Sequence, residues 1–320
     1  VGWKCCGRKN GLAPGNRAST GGPTASQSIV ADCASIIDSL AQAARLYFVR
    51  MKRPSRKTRP SQDRDPLFNQ SVEKAFAILE AFGGERRALN LSEVANAAGM
   101  TKSSAQRCTH TLELLGYLRR DPHVRRWVLT PRSLSMAHAY LSGHPLIEQA
   151  TTHLIDLNQA SGESVSLSEP YENDMVFIAR FPSHKRFFIH MPVGRRLPMF
   201  CTASGRAYLS GLPAVEVQKI LRRSLLKAYT PHTLIDPAEI TKQIDAAREA
   251  GYAWADQEYY RGDITIAAPV LGDDGTAVAA VNISAPTSRW SLADLRAKLS
   301  SVLMETARAC SSGTAVRMRA

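Results

Sequence analysis

Lys102, Ser103, Gln106, Arg107 and His110 fall at intervals of three and four residues, the spacing that gathers side chains on one face of a helix. All five are polar, and together they carry the donors and acceptors needed to read a DNA duplex. A glutamine amide matches the edge of adenine, and an arginine guanidinium matches guanine or grips phosphate. Thr101 and Ser104 stand at the start of the same segment. Arg125 and Arg126 follow in a short basic stretch that would reach the backbone or the minor groove. The competing explanation is a solvated helix face followed by a charged loop.

A second set of residues has different chemistry. His190, Cys201 and Ser204 are close in sequence, and a thiol near an imidazole is the raw material of a covalent nucleophile. No third group presents itself to orient the base, and Cys201 sits in an apolar run, where cysteine is usually a core residue. The six cysteines (5, 6, 33, 108, 201 and 310) lack metal-ligand spacing. The expectation is therefore a reduced cytoplasmic protein with no metal, no cofactor, no disulfide framework and no catalytic residue.

Such a polar face needs a helix, and a helix needs a domain. Around the face, Ala105, Cys108, Leu112 and Leu115 form an apolar stripe, Thr101 is placed to cap and Gly116 to stop. Upstream, Val72, Ala75, Phe76, Leu79 and Phe82 share a helical face, with Ser71 as the expected N-cap. Asn90 and Glu93 have capping-box spacing before Leu91, Val94, Ala95 and Ala98, and Gly99 supplies the turn. Downstream, Tyr117–Arg119 and Trp127–Leu129 are predicted strands about an Asp121-Pro122 turn. Three short helices, a glycine turn and a basic hairpin make a winged helix-turn-helix.

Thr130-Pro131 then opens a linking helix, which resumes after Gly143. Beyond Gly162 the pattern becomes α+β with a mostly antiparallel sheet. "SVSLSEP" and "DMVFIAR" flank a predicted hairpin, and "RFFIHM" is a further predicted strand. "TASGRAYLSGL" is a short helix, with two more near Ala214–Leu226 and Pro237–Ala250. "ITIAAPVLG" and "TAVAAVNISA" flank Asp273-Asp274-Gly275, a strong hairpin signal, and a helix over Leu292–Ala309 closes the domain.

The charge is unevenly spread. Residues 143–320 hold 19 basic and 18 acidic side chains, so nearly all of the net +13 lies in residues 1–142. A basic front on a near-neutral back points to a polyanion partner at one end only. Residues 1–66 lack periodicity and are expected to form a disordered basic tail. Met51 is the first methionine, so residues 1–50 are expected to be an upstream extension that is not native. No stretch reaches the roughly 18 apolar residues of a membrane span, so no membrane partner is expected.

"SVEKAFAILEAF", "LNLSEVANAAGMTKSSAQRCTHTLELLGYLRRD" and "WVLTPRSLSMAHAYL" resemble the DNA-binding half of the IclR family of bacterial transcription regulators. "LPMFCTASGRAYLSGL", "GYAWADQEYYRGDITIAAPVLGDDGTAVAAVNISAP" and "SRWS" are similar to that family's GAF-like effector domain. The resemblance spans about residues 67–310. It implies a winged helix-turn-helix over 67–130, a linker helix over 131–145, an effector domain over 146–312 and a tail over 313–320. It further implies a double-stranded DNA operator, a small carboxylate effector and a homodimer or homotetramer. The family's ligand-contacting positions fall on Ala203, Ser204, Thr265, Asn282 and Ser284, with Asp256 or Glu258 as a polar wall.

Two departures accompany the match. Thr265 stands where relatives often carry cysteine or serine, and Asp263-Ile264 stands where many carry Leu-Arg. "MPVGRRLPMFCTASGRAYLSGL" most resembles the subgroup that controls protocatechuate and hydroxybenzoate catabolism, which implies an aromatic acid effector. Arg195 and Arg196 are either its counter-charge or surface loop residues. The alternatives are an effector-independent architectural DNA binder and a thiol enzyme using Cys201.

Overall fold

The computed structural model describes residues 66–83, 88–185 and 191–311. The expected tails and the predicted strand at 186–191, apart from Pro66 and Met191, lie outside the described residues, as does His190. The front end is three helices and a two-stranded wing: α1 (Gln70–Leu79), α2 (Leu91–Ala98), α3 (Lys102–Leu114), β1 (Leu118–Arg120) and β2 (Trp127–Leu129). Its core is Ile78, Phe82, Leu89, Val94, Ala95, Ala98, Ala105, Leu112, Leu118 and Trp127. Fully burying each of the larger aliphatic side chains contributes on the order of 1.5–3 kcal/mol.

The caps explain where these helices begin. Asn90 Oδ1 accepts from Glu93 N, and the Glu93 carboxylate accepts from Asn90 N, a complete capping box. Gly99 is left-handed at φ 67°, where a side chain would be strained. Thr101 Oγ1 accepts from Ser104 N and starts α3.

Three local expectations need correction. Asn69, not Ser71, caps α1: its Oδ1 accepts from Ser71 N and Val72 N. Val72 and Phe76 are about half exposed, because α2 and α3 pack against the Ile78 side of α1 instead. On α3, Leu115 is the C-cap and half exposed, while the inward position goes to Thr109. Its hydroxyl donates to Ala105 O at 2.8 Å, which satisfies the buried polar group.

Thr130 caps a 3₁₀ turn (Pro131–Ser133) that leads into α4 (Leu134–Ser142), and Gly143 separates α4 from α5 (Pro145–Ser161). The back end then places β3 (Ser164–Tyr171), β4 (Asp174–Phe181), β5 (Arg196–Pro198), β6 (Ala253–Asp256), β7 (Asp263–Leu271) and β8 (Ala277–Pro286) in one antiparallel sheet, ordered β5-β4-β3-β8-β7-β6. The helices of this half are α6 (Ala203–Ser210), α7 (Ala214–Arg223), α8 (Pro237–Ala250) and α9 (Leu292–Ser311).

Period-two alternation gives the sheet two unlike faces. Val165, Leu167, Ile264, Ile266, Val281 and Ile283 are buried against Leu146, Leu154 and Leu157 of α5 and Leu295, Leu299 and Leu303 of α9. Ser164, Ser166, Thr265, Asn282 and Ser284 alternate with them and face the other way, toward α6. That helix lies unusually close to the turn before it. A Cβ on Gly205 would come within 2.2 Å of the Met199 backbone, so the packing admits no side chain there.

Candidate functional site

The polar face of α3 is open. Thr101, Lys102, Ser103, Gln106, Arg107 and His110 are exposed and Ser104 is half-buried, while Ala105, Thr109 and Leu112 point into the core. On the wing, β1 and β2 pair Leu118 with Leu129, and Arg119, Arg120 and Arg125 are exposed. Arg125 takes φ 50°, the left-handed bend that lets the wing turn back. Arg126 is occupied differently. Its guanidinium grips both Glu93 oxygens, at 2.6 and 3.1 Å, and donates to Ala88 O, which ties the wing to the capping box of α2. The geometry makes it a positioning residue for the wing. The Asn90 backbone N–H, followed by Arg126, holds the Glu93 carboxyl below its usual range.

The second site is a pocket between the sheet and the N-terminus of α6. Its floor is built by register. Ser166 lies between Arg180 on β4 and Asn282 on β8, while Ser284 lies between Ser164 on β3 and Thr265 on β7. Its roof begins with Thr202, whose Oγ1 accepts from Gly205 N and caps α6. Helix geometry leaves the Ala203 and Ser204 N–H groups without an intrahelical acceptor, the usual setting for an anion. Ser204 Oγ donates to Asn282 Oδ1 at 3.2 Å and joins roof to floor. Phe177, Met191, Leu197, Tyr259 and Tyr260 supply apolar and aromatic walls.

Of the sequence-predicted ligand residues, Ala203, Ser204, Glu258, Thr265, Asn282 and Ser284 line this pocket. Asp256 does not join them. It pairs with Ile264, whose side chain packs on the α5/α9 face, whereas its neighbour Ala255 pairs with Thr265 and lines the pocket. One step along a strand reverses the face. Asp256 is instead exposed, accepting from Gln257 Nε2. Glu258 is present but closed: Arg206, itself only 1% exposed, donates to both of its oxygens at 2.5 and 2.7 Å. The pair fastens the 257–260 loop to α6. Arg195 does not line the pocket but donates to the hydroxyls of Tyr259 and Tyr260, which do, at 3.4 Å each. Arg196 is a surface residue, held by Glu172 and Asp174.

Among the pocket residues that the sequence expectation missed, two come from β4. Arg180 and Phe177 are three apart and would face opposite ways on a regular strand. A bulge shifts the register between Leu167 and Ser168, so that Arg180 faces Ser166 and Phe177 faces Ser168. Both therefore reach the pocket side, where Arg180 donates to Ser166 Oγ at 2.9 Å and stacks on Phe177. Asp263 also lines the pocket. It accepts from Ser284 Oγ at 2.6 Å and from Thr265 Oγ1 at 3.2 Å. Burial pushes its carboxyl up to about 6, against the opposing pull of Ser284, Thr265 and Arg180. Cys201 is fully buried, and burial pushes its thiol well above the usual range. The thiolate is the nucleophile, so this environment suppresses the covalent chemistry considered above.

A third cluster joins the linking helices to the sheet. Glu169 on β3 accepts from the Tyr140 hydroxyl of α4 at 2.5 Å and contacts His144 Nε2, at the start of α5, at 2.9 Å. The same strand carries Ser164 and Ser166 on the pocket side.

Comparison with known proteins matches both halves. The family described as "IclR helix-turn-helix domain" matches residues 71–122, and "Bacterial transcriptional regulator IclR C-terminal" matches residues 138–312. The Pca regulon regulatory protein of Pseudomonas putida is 31% identical over 245 residues, 76% of this chain and 84% of its own length. The p-hydroxybenzoate hydroxylase transcriptional activator of Acinetobacter baylyi is 34% identical over 221 residues, 68% of this chain and 81% of its own. Among solved structures, a transcriptional regulator of Rhodococcus sp. RHA1 superposes with a TM-score of 0.68 at 35% identity, covering 77% of this chain and 98% of that one.

Proposed function

The chain belongs to the IclR family of DNA-binding transcription regulators, and on that premise we propose that a small aromatic acid bound under α6 sets its affinity for a DNA operator. The observation that carries this reading is the pocket itself. The first turn of α6 and Arg180 favour a carboxylate, while Phe177, Tyr259 and Tyr260 offer faces for a ring. The relatives named for the Pca regulon and for p-hydroxybenzoate hydroxylase support the same effector class. An architectural DNA binder has no use for such a pocket.

In this reading Lys102, Ser103, Gln106, Arg107 and His110 face the major groove, with Thr101 and Ser104 at the N-terminus of α3 approaching phosphate. Arg125 reaches the backbone or minor groove from the wing. Two copies of the chain present two recognition helices. Helix α4 supports this pairing: it has no buried residue, and Leu134, Met136 and Tyr140 are exposed along it. Covering such a stripe with a second copy removes it from water. The linking helices relay the state of the pocket through Glu169.

Calorimetry and thermal unfolding of the full chain with benzoate, 4-hydroxybenzoate and 3,4-dihydroxybenzoate, alongside acetate and pyruvate, test the effector class. Saturable binding and a raised midpoint with the aromatic acids are expected. Binding of the aliphatic acids alone, or of none, overturns it.

A further inference from the structure

Asp263 is the odd group in this pocket. A site that attracts a carboxylate with a helix N-terminus and an arginine gains nothing from a second carboxylate in its wall, since like charges repel. Yet Asp263 is held in place deliberately. Ser284 Oγ donates to its Oδ1 from the neighbouring strand β8 and Thr265 Oγ1 to its Oδ2 from two residues along β7, so both oxygens are oriented by hydroxyls. A carboxylate has about four acceptor directions, and these two bonds fill two of them. The side chain is half-buried and lines the pocket, with Arg180 near enough to sense its charge.

The two ends of the pocket thus differ. Around Asn282 stand Ser204 and the first turn of α6, a donor end. Around Ser284, two residues and about 7 Å further along β8, stands Asp263, an acceptor end. Phe177, Tyr259 and Tyr260 belong to the same pocket. A ligand that suits both ends has a carboxylate at one side of a flat ring and a hydrogen-bond donor at the other.

We infer that Asp263 is the specificity-determining acceptor for a hydroxyl group on the effector, so that the chain answers to hydroxylated aromatic acids and not to the bare acid. The inference rests on the aromatic-acid reading above and narrows it. The hydroxyl donates to Asp263, and the carboxylate occupies the α6 end. An unhydroxylated ring leaves the remaining acceptor directions of the Asp263 carboxylate desolvated and unfilled, which is the penalty that rejects it. Because burial leaves the Asp263 carboxyl at about 6, it is mostly ionised at neutral pH and able to accept.

The test is calorimetric titration of the full chain at neutral pH with benzoate, 4-hydroxybenzoate and 3,4-dihydroxybenzoate, on the wild type, Asp263→Leu and Asp263→Asn. The wild type should bind at least one hydroxylated acid about tenfold or more tighter than benzoate. Asp263→Leu should erase that gap by tightening benzoate and weakening the hydroxylated acid. Asp263→Asn keeps the shape with a weaker acceptor and should narrow the gap; it decides the matter if the leucine variant does not unfold cooperatively. Equal wild-type affinities, or a gap that survives in both variants, overturn the inference and leave the aromatic-acid reading standing. If none of the three acids binds, that reading falls and the inference falls with it.

Discussion

Arg206 and Glu258 are both buried, and each is the other's principal compensation for leaving water. Arg206 also donates Nε–H to Phe200 O at 3.0 Å, and Glu258 accepts from Leu234 N at 3.2 Å, so the pair holds the 3₁₀ turn, α6 and the pocket loop together. Arg206→Met is expected to lower unfolding stability by about 3 kcal/mol, because it strands the carboxylate in a buried site. Urea denaturation monitored by fluorescence measures it, and a loss below about 1 kcal/mol would mean that the loop relaxes to solvate Glu258. Nothing in the sequence announced this pair, since an arginine inside a short helix reads as a solvated residue. Asn282 and Ser284, by contrast, stand two apart on one strand, a spacing that puts them on one face whatever their partners. Asp256 was offered, with Glu258 as its alternative, as a polar wall, and the strand alternation that sets its true face was readable only once its register with Ile264 was fixed.

At the scale of elements, caps and turns were the most legible features, because each is decided by a few adjacent residues. The Asn90/Glu93 box, Thr101, Gly99 and the Asp273-Asp274-Gly275 hairpin all formed as their local chemistry requires. What was not legible depends on packing partners distant in sequence. The buried side of α1 is chosen by α2 and α3, and the bulge that turns Arg180 and Phe177 to one side is created by the pairing of β3 with β4. The joint at Glu169 is of the same kind, uniting residues from α4, α5 and β3. If it transmits the state of the pocket, Glu169→Ala should leave ligand-free DNA affinity within about twofold of wild type. It should also cut the response of that affinity to 4-hydroxybenzoate by roughly two- to tenfold. Fluorescence anisotropy with labelled duplex, with and without the acid, reads both quantities. A full response in the variant would place the coupling elsewhere.

For the molecule as a whole, the division of labour visible in the charge distribution matches the architecture. Residues 67–142, which hold the three helices and the wing, carry 10 basic and 6 acidic side chains, and the near-neutral half encloses a pocket. Among the described residues, no helix is long and apolar enough to cross a membrane. The central claim is that the two ends communicate: an acid bound beneath α6 changes how tightly α3 and the wing hold DNA. Linkage makes the claim measurable, since an effector that binds two states unequally must shift the affinity for DNA. The direct measurement is the dissociation constant of the full chain for a duplex it has itself selected from random DNA, taken with and without saturating 4-hydroxybenzoate at fixed salt. A change of about fivefold or more, in either direction, is the expected result. An affinity that stays the same while calorimetry shows the pocket filled would contradict the account.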